Sequence, residues 1–210
     1  MKTNRVNSSS AIGFFGAGKM AQGIVSALPP KTPMLLSSVE ENRNVEIART
    51  CSLIFLAVRP QDVAAVAAEV KPLLTAKKTV VSIVAGKTLA KLRKAFGAKV
   101  RLIRVMPNLA LRAKAGMCAI CPAAKTPAKA VKAVEAILGG AGATVVLKEK
   151  DFDAVTALSG SGPAYFAYME EAMAEGGVKL GLKPDVARLL AEQTMYGTAK
   201  FLRESGMALR

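Results

Sequence analysis

The chain has 210 residues, 51% of them hydrophobic, enough for one large domain or two smaller ones with packed cores. That composition excludes a disordered polymer, and the longest apolar run, at 52–58, is far too short to cross a bilayer. Thirty Lys and Arg stand against fifteen Asp and Glu, a formal charge of +15, and histidine is absent.

Residues 1–10 are basic and Ser-rich without an apolar stretch, which argues against a secretory signal and leaves at most a very short transit segment. Residues 11–15 form a short apolar strand running into glycines, and 19–28 has helical composition until Pro29, Pro30 and Pro33 break it. A second strand is predicted over 34–38, a short helix over 42–50, and a continuous apolar strand over 53–58 that Pro60 stops. Then follow an Ala/Val-rich helix (61–70), a β-branched strand (79–84), an amphipathic helix closed by Gly97 (88–96) and another strand (100–105). Strand 117–121, helix 127–138 and strand 143–147 complete this half. Buried strands alternating with helices indicate a mostly parallel sheet covered on both faces. After Lys150 no strand-like run occurs. Segments 151–158, 163–180 and 184–203 are helical, the last two opening on Pro163 and Pro184.

The excess charge is local. No acidic residue lies between Lys71 and Val134, and the fifteen Lys and Arg of that stretch equal the net charge of the whole chain. Such a block can bind nucleic acid, steer anions or solvate one face. Its only aromatic residue is Phe96, and its charges are interleaved with apolar periodicity, so a solvated face is the better reading. Cys118 and Cys121 have C-x-x-C spacing, yet no second pair and no histidine accompany them. They read as small strand residues in a reducing compartment, with no metal site expected.

The first strand turns directly into Gly13-Phe14-Phe15-Gly16-Ala17-Gly18-Lys19-Met20-Ala21. Gly16, Gly18 and Ala21 match G-x-G-x-x-[GA] in its required place, between a strand and a helix. Gly16 permits the tight turn, Gly18 lets a pyrophosphate approach the backbone, and Ala21 lets helix and strand pack closely. The anion then meets free N–H groups at the positive end of the helix. The expected fold is therefore α/β: a Rossmann-type doubly wound, mostly parallel sheet over 1–150, followed by a smaller all-α domain over 151–210. The second strand ends in Ser37 and Ser38 rather than an acid, and Arg43 is near. This favours NADP(H) with NAD(H) as the second cofactor, a preference tempered by Glu40 and Glu41.

With these motifs in place, the chain resembles the pyrroline-5-carboxylate reductases. The similar blocks are 12–20, Phe55-Leu56-Ala57-Val58-Arg59-Pro60-Gln61, Val81-Ser82-Ile83-Val84-Ala85-Gly86, Arg104-Val105-Met106-Pro107-Asn108, and Ala157-Leu158-Ser159-Gly160-Ser161-Gly162-Pro163-Ala164-Tyr165. The resemblance implies reduction of Δ1-pyrroline-5-carboxylate to L-proline with NAD(P)H in a cytoplasmic enzyme of proline biosynthesis. It implies that Phe15, Gly16, Ala17, Gly18, Lys19 and Met20 cradle the diphosphate, and that Ser38 and Asn44 lie near the adenosine ribose. Ala57, Val58, Arg59 and Pro60 would line the cofactor cleft, with Val84, Ala85 and Gly86 near the nicotinamide. Asn108 and Glu149 would border the substrate, with turn or helix capping as their alternative roles. No single catalytic residue is assigned, because positioning carries most of the rate. The helical part implies a homodimer or larger homo-oligomer.

Two departures from the family pattern shape the expectations. The stretch between Ser38 and Asn44 is short, so a helix and strand that follow the second strand in the family are expected to be missing. Leu109 and Ala110 stand where the family has Thr-Pro, and the family's V-x-S-P-G-G-T-T loop beyond the last helix is not in the sequence. The alternative reading is thus a truncated relative that binds dinucleotide with low or absent turnover. A third is a basic nucleic-acid-binding scaffold, disfavoured by the glycine turn and the scarcity of aromatics. The expected partners are a small-molecule substrate and copies of the chain, with no nucleic acid and no membrane.

Overall fold

The computed structural model describes residues 11–207. The segment 1–10, with its transit reading, lies outside the described residues. Among them, no helix is long and apolar enough to cross a membrane.

The strands β1 (Ile12–Phe15), β2 (Met34–Ser37), β3 (Leu53–Leu56), β4 (Thr79–Ser82), β5 (Arg101–Pro107), β6 (Gly116–Pro122) and β7 (Gly142–Val146) form one sheet, ordered β2-β1-β3-β4-β5-β6-β7. The first five run parallel, β6 is antiparallel to β5, and β7 is parallel to β6. Side chains alternate between the faces, as the pleat requires. Phe14, Phe55, Val81 and Ile103 point to the face covered by α1 (Lys19–Ala27) and α5 (Ala128–Gly139). Phe15, Ile54, Leu56, Val80 and Leu102 point to the face covered by α2 (Asn44–Thr50), α3 (Val63–Val70) and α4 (Leu89–Phe96). Both faces are buried, which is why these strands read as unbroken apolar runs. Phe14 and Phe55 stack across β1 and β3, their centroids 5.1 Å apart.

The short link after β2 has the expected consequence. Residues 38–43 lead straight into α2, and β2 is left as the sheet edge. The parallel order 2-1-3-4-5 places the topological switch point between β1 and β3, where chains leave to opposite sides and ligands of such sheets bind.

The segment predicted as one helix over 151–158 differs. It forms a single turn, α6 (Phe152–Val155), followed by a wider π turn at Thr156–Gly160. The Thr156 hydroxyl donates to Phe152 O (2.7 Å) and the Ser159 hydroxyl to Val155 O (3.2 Å), which loosens the ladder. Phe152 is fully buried against Ala119 and Cys121 of the sheet. This plug holds residues 151–160 to the first compact unit, which therefore ends at Gly160, later than the residue 150 expected from composition.

The second unit, from Ser161, consists of α7 (Gly162–Lys179) and α8 (Pro184–Ser205) joined by a turn at Gly181. Its apolar side chains are largely uncovered, including Phe166 (66% exposed), Tyr168, Met169, Leu189, Leu190, Tyr196 and Phe201. Two helices alone cannot bury apolar residues on so many faces.

Candidate functional site

The C-terminal ends of β1, β3 and β4 lie side by side, Phe15 beside Leu56 and Leu56 beside Ser82, with Arg104 in the middle of β5 next to Ser82. Beyond them, Gly16 N–H donates to Ser37 O (3.1 Å) and Ala57 N–H donates to Phe15 O (2.8 Å), pinning the turn between both neighbouring strands. Gly16 has φ +103°, and a Cβ on it would sit 2.5 Å from Ala57 O. Only glycine fits there. Gly18 is different: a Cβ would meet no atom within 4 Å. No side chain caps α1, so its first-turn N–H groups have no protein acceptor from a cap.

In front of this turn lies a cleft of about 860 Å³. Of the residues singled out in the sequence, it brings together Gly16, Ala17, Gly18, Ser38, Asn44, Ala57, Val58 and Arg59. Phe15 is buried in the core, so its part is confined to its backbone. Lys19 and Met20 open α1, Pro60 opens the 3-10 turn Pro60–Asp62, and none of the three lines the cleft. Val84, Ala85 and Gly86 follow β4 on the same strand-end edge without lining this cleft. The sequence reading missed Gln22, Asn42 and Asp62. Gln22 Nε2 donates to Ala17 O (3.2 Å) and braces the turn. Glu69 on α3, also missed, accepts from Asn44 Nδ2 (2.8 Å) and Asn42 Nδ2 (3.3 Å). Sequence gives no signal for that pairing, since the partners are 25 and 27 residues apart.

At the ribose end, Ser37 is buried and its Oγ accepts from Arg43 N–H (3.0 Å), so it serves the turn. Ser38 Oγ accepts from Glu41 N–H (3.1 Å), and its own proton goes to the neighbouring Glu40 carboxylate. Arg43 does not supply the charge expected of it. Its guanidinium forks onto Glu46 at 2.8 and 3.0 Å, an arrangement that raises the Arg43 pKa and lowers that of Glu46. Arg59 at the rim pairs with Asp62 at 2.8 Å. Glu40 lines the cleft, and the Ser38 hydroxyl beside it holds its carboxyl below the usual range.

Asn108 and Glu149 both have structural bonds. Asn108 Oδ1 accepts from Met117 N–H (3.1 Å), closing the turn between β5 and β6. Glu149 Oε1 accepts from Leu89 N–H at the start of α4 (2.6 Å) and from Arg104 Nη1 (3.1 Å). Several cations of the 71–134 block hold backbone carbonyls: Lys78 Nζ donates to Arg49 O and Cys51 O, and Arg93 Nη1 donates to the carbonyls of Gly97 and Ala98.

The C-x-x-C spacing falls on β6, where three residues carry the chain to the opposite face. Cys118 packs with the α1 and α5 side and Cys121 with Phe152 on the other, so the two thiols do not share a site. All three cysteines are buried and free. Burial pushes the Cys118 thiol from 9.0 up to about 11 and raises Cys51 and Cys121 as well. A thiol pKa raised by folding gives stability that is complete below the unfolded pKa and is lost as pH climbs to the folded one. Thermal stability is accordingly expected to fall between pH 9.0 and about 11, and Cys118→Ala to flatten that fall in melts run across the range. An equal fall in Cys118→Ala would show that other groups govern it.

Comparison with known proteins agrees with this geometry. Residues 149–210 match the family described as pyrroline-5-carboxylate reductase dimerisation, and residues 30–86 match NADP oxidoreductase, coenzyme F420-dependent. Pyrroline-5-carboxylate reductase 3 of Rattus norvegicus is 32% identical, with 93% of this chain and 78% of that protein covered. The pyrroline-5-carboxylate reductase of Methanosarcina acetivorans is 36% identical over 93% of this chain and 80% of its own. Among solved structures, the pyrroline carboxylate reductase of Plasmodium falciparum with NADP bound superposes with TM-score 0.81 at 30% identity, covering 94% of this chain and 80% of that one. The enzyme from Coxiella burnetii gives TM-score 0.85 at 29% identity, covering 96% and 82%.

Proposed function

The chain belongs to the pyrroline-5-carboxylate reductase family, and from that premise we propose how its residues serve the reduction of Δ1-pyrroline-5-carboxylate to L-proline with NADPH. NADPH supplies the hydride that the imine carbon accepts, while the ring nitrogen is already protonated. The residues of the chain bind and orient. The N–H groups of 17–20, at the uncapped start of α1, receive the diphosphate, while Gly16 N–H holds the turn to Ser37 O. The vacant space over Gly18 fits a phosphate seat, and this observation carries the reading. Ser38 and Asn44 face the adenosine ribose, Ala57, Val58, Arg59 and Pro60 wall the cleft, and Val84, Ala85 and Gly86 meet the nicotinamide. With Asn108 Oδ1 engaged, its amide nitrogen serves as the donor at the substrate edge, and Glu149 borders the same pocket.

The dinucleotide role falls to the first unit. The matched dimerisation region covers α7 and α8, whose exposed apolar faces fit burial against a second copy, so the chain forms homo-oligomers. We assign the dimer as the basic unit. Three free thiols suit a reducing compartment, and we place the protein in the cytoplasm.

Following NADPH absorbance with and without the imine tests the reading: oxidation dependent on the imine is expected, and NADPH that neither binds nor oxidises would overturn it. At the ribose end, the Ser38 hydroxyl turns from Glu40 to donate to a 2′-phosphate while the Glu40 charge opposes it, so NADPH binds more tightly than NADH by a margin that Glu40 narrows. Glu40→Gln is expected to improve NADPH affinity about fivefold at low salt and leave NADH affinity unchanged or weaker. An equal change for both cofactors would place Glu40 away from the 2′ position.

A further inference from the structure

We propose, on the dinucleotide reading given above, that Arg104 and Glu149 are positioning residues that fix the β4–α4 loop at the nicotinamide end of the cleft.

Residues 83–88 leave the end of β4 and enter α4, passing through Gly86 at φ +70°. The Thr88 side chain caps α4 by accepting from Lys91 N–H (3.2 Å). The first helical N–H, that of Leu89, is held separately at 2.6 Å by Glu149 Oε1. The same oxygen accepts from Arg104 Nη1 at 3.1 Å. Arg104 stands on β5 in register with Ser82, the last residue of β4, and is 6% exposed. Its guanidinium carbon lies 4.6 Å from the ring centroid of Phe152, which is fully buried. One carboxylate oxygen therefore ties the far end of the loop to the strand next to the loop's near end.

A merely space-filling role does not call for this arrangement. Burying a guanidinium costs desolvation, and apolar side chains of similar volume fill such a place at least as well. The N–H at the first position of a helix is commonly left to water. The ion pair does what an apolar pair cannot: it presents a carboxylate, at fixed height, to the positive end of α4. Val84, Ala85 and Gly86 are suspended between the two fixed points. Misplacing a reactant by about 1 Å costs up to about a hundredfold in rate, so a loop held at both ends is a functional demand as much as a structural one.

The test uses the full chain, with Arg104→Met and Glu149→Gln, and reads three quantities: NADPH affinity, the emission of the bound reduced nicotinamide, and kcat. Arg104→Met is expected to keep NADPH affinity close to wild type, because the diphosphate turn is untouched, while shifting the bound emission and lowering kcat about ten- to a hundredfold. Glu149→Gln keeps a carbonyl for Leu89 N–H but loses the negative charge facing Arg104, and is expected to give a smaller change of the same sign. A variant that melts lower yet, once folded, shows wild-type emission and kcat would overturn the proposal. If Arg104→Met does not fold, Glu149→Gln decides by the bound emission measured without the imine, since Glu149 also borders the substrate. Wild-type protein that binds no NADPH would overturn the dinucleotide reading and this inference with it. Normal wild-type binding with unshifted variants would overturn the inference alone.

Discussion

Gly18→Val is expected to leave the fold intact and to weaken NADPH binding about a hundredfold, near 2.7 kcal/mol. The two halves of that expectation come from one observation. A Cβ at Gly18 meets nothing within 4 Å, and its backbone is extended at φ −69°, so a side chain there neither clashes nor strains the chain. The space it enters is the cleft in front of the uncapped N–H groups of α1. A branched side chain there keeps an anion from reaching those groups and exploiting the helix dipole. Calorimetry for affinity and a melt for stability check both halves. A variant that binds NADPH like wild type would remove the diphosphate from this turn.

Gly16→Val should behave differently although it lies only two residues away. Here the backbone has φ +103°, and the added Cβ would approach Ala57 O to 2.5 Å. Ala57 cannot retreat, because its N–H is bonded to Phe15 O and it directly follows β3. Strain of this kind costs about 1–3 kcal/mol, and the clash adds to it. The melting temperature is therefore expected to fall together with NADPH affinity, and urea midpoints will register the loss. Equal stability of the Gly16 and Gly18 variants would contradict the division of labour drawn between the two glycines.

Much of this was legible in the sequence because it rests on local pattern. The apolar runs at 11–15 and 53–58, the breaks at Pro29 and Pro60, and the spacing of Gly16, Gly18 and Ala21 each fix a short-range feature, and together they give the sheet and the phosphate turn. What was not legible depends on partners far apart in the chain. The sequence offers Arg43 as charge for a 2′-phosphate, but Glu46 three residues on takes it. The resemblance implies Asn44 as a ribose contact and carries no hint that Glu69 anchors its amide. Composition predicts one helix over 151–158, and two hydroxyls bonding back to Phe152 and Val155 widen its second half into a π turn. Cys118 and Cys121 formed a suggestive motif as text, and the two-residue period of a strand alone is enough to separate them. The compact unit runs past 150 because one buried ring, Phe152, holds the following residues to the sheet, a fact that average composition does not carry.

The central claim, that the backbone amides where β1 turns into α1 receive the diphosphate, is tested most directly by an amide NMR titration with NADPH. The backbone signals of Gly16, Ala17, Gly18, Lys19 and Met20 are expected to shift together and to saturate at the same cofactor concentration as the change in bound nicotinamide emission. Saturable NADPH binding that left all five of those amides unmoved would contradict it.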